Sequence, residues 1–411
     1  MLQFELTSDF IINETLKPHV REDFRVAYPG KPLRYDEDSD STIYPKIVAT
    51  GSGNTVQEPA AVSILLGMTG TDKPNVVYIG TPFFDRDDKY NTGTKAFRDL
   101  GCQIERLMVA KNSTTPSFPE MRRIIVEWAD LIVVSGGNSL FAMLRWRTTG
   151  LDQLIKEAAL KGTVLCGGSA GCGCWFDSMQ TDSLKPEACK LSEKVLAELS
   201  PEQRLDWSFV RISCMGFINA FCVPHIDTVG TNNVARVDIA KKMLLEAHFD
   251  PSYEAPVFGL GVDEKAVVAY EEGKITIISA GDRHDGLGPA TCYILFVDGR
   301  NEVMVIPITP NTGEALTMEE MIERAMRSVE AVQSPMDLIV SQEVTDACAI
   351  RGSTFNTEMI DTLDDGAATS VQSMPNVGGA LPIAASMDVL DEFISGTKER
   401  CLQSIVEVND G

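Results

Sequence analysis

The sequence predicts an α/β protein: a mainly parallel sheet flanked by helices on both sides, with antiparallel edge strands and a C-terminal extension. Three observations predict it. Short, wholly apolar segments alternate with helical patterns between residues 46 and 166, which is the signature of successive βαβ units. Two of those segments, Lys46 to Thr50 and Leu131 to Val134, run straight into glycine loops, Gly51-Ser52-Gly53 and Gly136-Gly137. A dense set of strand-like segments then follows between 257 and 308 with hairpin-length connections.

The strands Lys46–Thr50, Val76–Gly80, Ile104–Val109, Leu131–Val134 and Thr163–Cys166 show no alternation of apolar and polar residues. A strand covered by helices on both faces loses that period of two. Between them, Glu58–Met68, 91–100, Phe118–Trp128, Leu140–Trp146 and Leu151–Leu160 space their apolar residues as helices do. Residues 185–212 are polar and helix-prone and read as an insertion. Strands return at Phe221–Val223, Val257–Val262, Ala266–Tyr270, Ile275–Ile278, Tyr293–Val297 and Val303–Ile308, with Glu271-Glu272-Gly273 as a hairpin turn. Thr317-Met318-Glu319-Glu320 is a capping box that opens an amphipathic helix to about Val332. A Gly/Ala/Ser-rich linker over 361–386 and a last helix over 387–406 complete the chain. The expected organisation is an N-terminal extension over 1–44, a catalytic domain over 45–310 and a C-terminal extension over 311–411.

Composition narrows the function. The 411 residues carry 36 Lys+Arg against 59 Asp+Glu, a net charge of −23. Such a chain is a poor partner for nucleic acid, which needs basic surface to displace phosphate counterions. It is equally poor at anionic membrane surfaces. The longest apolar runs fall well short of a membrane span. The first residues lack a basic start followed by an apolar core, so a cytoplasmic setting is expected. Ten cysteines without a CxxC pair suggest neither a disulfide scaffold nor a zinc site.

The chemistry concentrates after the strand ending at Cys166. Gly167-Gly168-Ser169-Ala170-Gly171 is a G-x-S-x-G segment between a strand and a helix, the context of a nucleophile elbow. A serine nucleophile needs a base, and the chain has four histidines, at 19, 225, 248 and 284. Only His225 follows an apolar strand, which places it on the edge of the sheet where α/β active sites form. The N–H groups of Ala170 and of Gly137 are candidate oxyanion donors. Cys172 and Cys174 lie beyond the elbow and read as packing residues. Gly51-Ser52-Gly53 and Gly259-Leu260-Gly261 start a dinucleotide motif but do not complete it.

Several ordered segments together resemble the peptidase E (aspartyl dipeptidase) family of serine peptidases, whose sheet is similar to that of class I glutamine amidotransferases. They are GGNS at 136–139, LCGGSAGCGCWFDS at 165–178, TDS at 181–183 and VPHID at 223–227. The likeness runs over roughly 45–290. It implies Ser169 as nucleophile, His225 as general base and Gly137 and Ala170 as the oxyanion hole. The acid that orients the imidazole is Asp182 or Glu264, with Asp182 preferred. The family's substrates have an N-terminal aspartate, for which Asn138 and Arg236 are the candidate donors. Arg236 stands further from the histidine than the family's arginine does. No metal or organic cofactor is implied. The expected partner is a small peptide, with self-association left open, and the extension could serve as a lid, a dimer surface or a partner site. The rival readings are a cyanophycinase-like isopeptide or ester hydrolase with the same triad, and a catalytically silent binding scaffold.

Overall fold

The computed structural model describes residues 43–188, 199–249 and 258–332. The linker expected at 361–386, the helix expected at 387–406, His19 and most of the N-terminal extension lie outside the described residues.

The strands divide between two sheets. The first has seven strands in the order β11-β10-β1-β5-β4-β2-β3: β1 (Lys46–Thr50), β2 (Val76–Ile79), β3 (Ile104–Leu107), β4 (Leu131–Val134), β5 (Val164–Gly168), β10 (Ala266–Glu271) and β11 (Lys274–Ser279). The five N-terminal strands pair in parallel. The β10–β11 hairpin closes one edge antiparallel to β1. Its turn has Glu272 at φ 51° and Gly273 at φ 78°, the left-handed pair that a two-residue hairpin turn requires.

The strands β1, β2, β4 and β5 bury both faces. Val48, Val76, Tyr78, Leu131, Val133, Val164 and Cys166 point to one cluster, with Ala61, Leu65 and Met68 of the helix Pro59–Thr69. Their neighbours Ile47, Ala49, Val77, Ile79, Ile132, Val134 and Leu165 point to the other. That second cluster includes the helices Ser139–Thr149 and Leu151–Leu160 and apolar residues of the second sheet. Two buried faces are the physical reason for the unbroken apolar runs in the sequence.

The second sheet has six strands in the order β13-β12-β9-β8-β6-β7: β6 (Phe176–Thr181), β7 (Val210–Ser213), β8 (Ile218–Pro224), β9 (Phe258–Val262), β12 (Cys292–Val297) and β13 (Val303–Pro307). β6, β8 and β9 are parallel, and β7, β12 and β13 are antiparallel additions. The helix Arg236–Phe249 covers its outer face through Val237, Ala240, Met243 and Leu244. The single sheet expected from the strand pattern is thus two.

β6 and β7 had no signal as strands because they bury polar residues. Ser178, Gln180, Thr181 and Arg211 are all nearly inaccessible. They find partners far along the chain: Gln180 donates to the Arg236 carbonyl at 2.9 Å, and Arg211 Nε donates to Ser178 Oγ at 3.0 Å. Buried polar groups survive where they find partners. At the other end, Thr317 and Glu320 form the expected capping box, with bonds of 2.8 and 3.1 Å, and the helix Met318–Val332 follows. No helix among the described residues is long and apolar enough to cross a membrane.

Candidate active site

Ser169 sits between β5 and the single helical turn Ala170–Gly173. Its backbone is at φ 58°, ψ −112°, a conformation that costs a non-glycine residue about 1–3 kcal/mol and is typical of functional turns. The turn is crowded: a Cβ added at Gly171 would lie 2.4 Å from the Val134 carbonyl oxygen. The small residues of the motif are therefore demanded by backbone packing around the serine. With only four residues, the following helix contributes little dipole, so any oxyanion stabilisation falls to N–H donors.

The loop after β4 faces the serine. A Cβ at Gly136 would be 3.3 Å from the Ser169 Cβ. Gly137 is at φ 120°, and a Cβ there would meet the Pro82 carbonyl oxygen at 2.3 Å. Gly137→Ala is expected to lower stability by more than about 2 kcal/mol and to cut kcat more than about 100-fold by displacing the donor. Thermal unfolding and steady-state kinetics on one preparation check both.

His225 and Glu264 come from the second sheet, at the C-terminal ends of the adjacent parallel strands β8 and β9. His225 Nδ1 and Glu264 Oε1 are 2.9 Å apart. That bond, ahead of the penalty of partial burial, holds the Glu264 carboxyl below the usual carboxylate range. A depressed carboxylate stabilises the fold above its ordinary pKa, and that contribution is lost as pH falls through the lowered value. Ser169, His225, Glu264, Gly136 and Gly137 line one cleft of about 390 Å³. Ser169 therefore comes from one sheet and His225 from the other. The hydrogen bonds formed include the imidazole–carboxylate pair and not a serine–imidazole one, a contact that often tightens only with substrate bound.

Asp182, the preferred acid in the sequence, is committed elsewhere. Its Oδ2 accepts from Arg236 Nη2 at 3.1 Å, while the imidazole meets Glu264. The two expected substrate donors are also occupied. Asn138 caps the helix Ser139–Thr149 by accepting from the Phe141 N–H at 2.9 Å. Its amide donates to the Ser183 and Ala188 carbonyls at 3.0 and 2.9 Å. Arg236 is 7% exposed, stacks over Phe209 and holds Asp182. Neither lines the cleft. Arg236 still acts at a distance, since its charge helps to lower the Glu264 carboxyl. Ala170 is buried beside the nucleophile, 2% exposed. Cys172 and Cys174 are buried in the core as expected, and burial pushes the Cys174 thiol well above its ordinary value.

The cleft also has a wall the sequence did not mark as functional. Ser52, Asn54 and Gln57 come from the loop after β1, and Lys89 from the helix Asp87–Gly93. Lys89 is the cation of the lining, with its ammonium 4.8 Å from the centre of the Phe83 ring. The glycine loop at 51–53, following a strand, was the one available signal for this wall. Lys89 had none, because helix Asp87–Gly93 carries no buried residue.

Beneath Glu264 lies Asp263, wholly buried. Burial first, then the neighbouring Asp227, raises its carboxyl to about 7. A raised acid stabilises the fold fully below its ordinary pKa, and the contribution disappears as pH rises through about 7. The span corresponds to roughly 4 kcal/mol. Denaturant unfolding between pH 5 and 8.5 should show stability falling through neutrality, and Asp263→Asn should flatten the dependence. Among the described residues no group of three or more His, Cys, Asp or Glu is placed to hold a metal ion.

A strained serine on an elbow, an imidazole bonded to a carboxylate and a glycine loop opposite are the arrangement of a hydrolase. The family model of peptidase family S51 matches residues 47–278, more than half of the chain, and the chain belongs to that family. It is 31% identical over 144 residues to the uncharacterized peptidase YgaJ of Bacillus subtilis strain 168, covering 34% of this chain and 60% of that one. It is 35% identical over 79 residues to the uncharacterized peptidase Lmo0363 of Listeria monocytogenes, covering 19% and 36%. The match thus spans 60% or less of these curated relatives. The crystal structure of a peptidase from an acI-B1 actinobacterium is similar at a TM-score of 0.46 and 18% identity, covering 67% of this chain and 98% of that one.

Proposed function

We propose that the protein is a serine exopeptidase that cleaves short peptides, foremost dipeptides with N-terminal aspartate, through an acyl-enzyme on Ser169. The observation that carries this is the 2.9 Å His225–Glu264 bond beside a cleft that also contains Ser169. In this reading His225 removes the Ser169 proton as the hydroxyl attacks the scissile carbonyl. The new C–O bond leaves a tetrahedral oxyanion facing the N–H groups of Gly137 and Ala170. His225 then protonates the departing amine, and the C–N bond breaks. Water, deprotonated by the same imidazole, releases the acid and restores the serine. Glu264 keeps the imidazole in the useful tautomer and stabilises its charged form.

The size of the cleft favours short substrates. With Asn138 and Arg236 occupied, Lys89 is the group that supports recognition of a substrate carboxylate. A panel of Asp-X, Leu-X and β-aspartyl dipeptides tests the specificity. Asp-X is expected to exceed Leu-X in kcat/KM by at least about tenfold, and Lys89→Met is expected to remove most of that advantage. Equal cleavage of all three would sink the aspartate assignment, and preference for the β-aspartyl bond would favour an isopeptidase instead.

A further inference from the structure

Asp227 takes no part in the reaction drawn above, yet it sits where the base and its acid meet. It stands two residues after His225, in the turn that leaves β8. Its Oδ1 accepts the backbone N–H of Glu264 at 3.0 Å. The carbonyl of Glu264 accepts the hydroxyl of Thr55 at 2.7 Å, and Thr55 is itself buried. Glu264 is therefore held on both sides of its own backbone, once from the β8 turn and once from the loop after β1.

The histidine side of the pair is clamped as tightly. His225 is at φ 55°, a left-handed conformation that neighbours must enforce. Its carbonyl accepts both the Thr228 N–H at 3.0 Å and the Thr228 hydroxyl at 2.9 Å. The Ile226 N–H donates to the Val262 carbonyl at 3.2 Å, which ties the β8 turn to the end of β9. Asp227 is the side-chain member of that tie.

The rest of Asp227 is not explained by packing. Its Oδ2 is buried without a hydrogen-bond partner, as is Oδ1 of Asp263. Arg283, on which the charge of Asp227 acts, has its Nη1 4.0 Å from Asp263 Oδ2 and pairs with Asp285 at 2.7 Å. A buried polar oxygen left unmatched is destabilising. An apolar residue would fill the space without that penalty, but it could not accept the Glu264 N–H.

We propose that Asp227 is a positioning residue that sets Glu264 against His225, acting through the Glu264 backbone and touching no substrate. The proposal rests on the Ser169–His225–Glu264 reading and makes it more specific. Displacement of a reacting group by about 1 Å can cost about 100-fold in rate, so the tie has consequences beyond stability.

The test compares Asp227→Ala and Asp227→Asn with wild type. D227A is expected to lower kcat about 10- to 100-fold with KM within about twofold. The acid limb of its kcat/KM profile is expected to move to lower pH, because the imidazole loses its anionic partner. The groups whose charge reaches Glu264 are His225, His284 and Arg236, and all three remain in the variant. D227N keeps an acceptor oxygen and is expected to recover most of the loss. If D227A does not fold, Asp227→Leu, which fills the space and offers no acceptor, takes its place with the same expectation. Unchanged kcat in D227A, a loss carried by KM alone, or an unmoved acid limb overturns the proposal. Failure of the underlying triad looks different: wild type itself would neither cleave peptides nor be acylated at Ser169.

Discussion

Replacing Ser169 with alanine is expected to reduce kcat by about 10⁶-fold, down to the residual rate that binding and oxyanion contacts supply. In the proposed mechanism the hydroxyl supplies the bond that forms first, and nothing else in the turn can replace it. Cys172 and Cys174 lie in the buried core beyond the elbow, and the Cys174 thiol is pushed well above its ordinary value. The substitution removes one oxygen and leaves the crowded glycine packing of the turn untouched, so the fold should persist. A serine-directed acylating reagent should label wild type at one position and leave S169A unmodified. Labelling that survives the substitution, or peptidase activity within about tenfold of wild type, would remove Ser169 from the mechanism.

The second large effect separates two carboxylates. Glu264→Gln is expected to lower kcat by about 10⁴-fold with the cleft intact, because an amide can bond the imidazole in the wrong tautomer and cannot stabilise its charge. Asp182→Asn is expected to leave kcat/KM within about tenfold and to lower stability by about 1–3 kcal/mol. Its loss is structural: Asp182 holds the guanidinium of Arg236 at 3.1 Å, and that side chain is largely buried. Kinetics and denaturant unfolding measured on both variants give opposite patterns, one losing rate and the other losing stability. If Asp182→Asn lost rate by orders of magnitude and Glu264→Gln did not, the assignment of the acid would be reversed.

The two variants also show what residue spacing can and cannot say. The turn at Ser169 was legible because it is a local object: strand, tight turn and helix within about ten residues. His225 was legible because it ends an apolar strand and the chain has few histidines. The choice between Asp182 and Glu264 was not, because both stand in short polar segments at the ends of strands. Asn138 illustrates the opposite error. It lies in the glycine loop beside the nucleophile, but its side chain is spent on capping the helix it begins. An asparagine before a helical pattern signals a cap as readily as a ligand.

The sequence by itself determined the βαβ alternation, the strand–turn–helix around Ser169, the place of His225 at a strand end and the glycine loop opposite, since each is written in contiguous residues. Tertiary structure alone decided that the strands form two sheets. β6 and β7 bury polar side chains whose partners, such as the Arg236 carbonyl, are distant in the chain. It alone decided that Glu264 reaches the imidazole, because β8 and β9 become parallel neighbours although His225 and Glu264 are 39 positions apart. Contacts across sheets depend on register and packing between distant segments, which leave no periodic trace in either one.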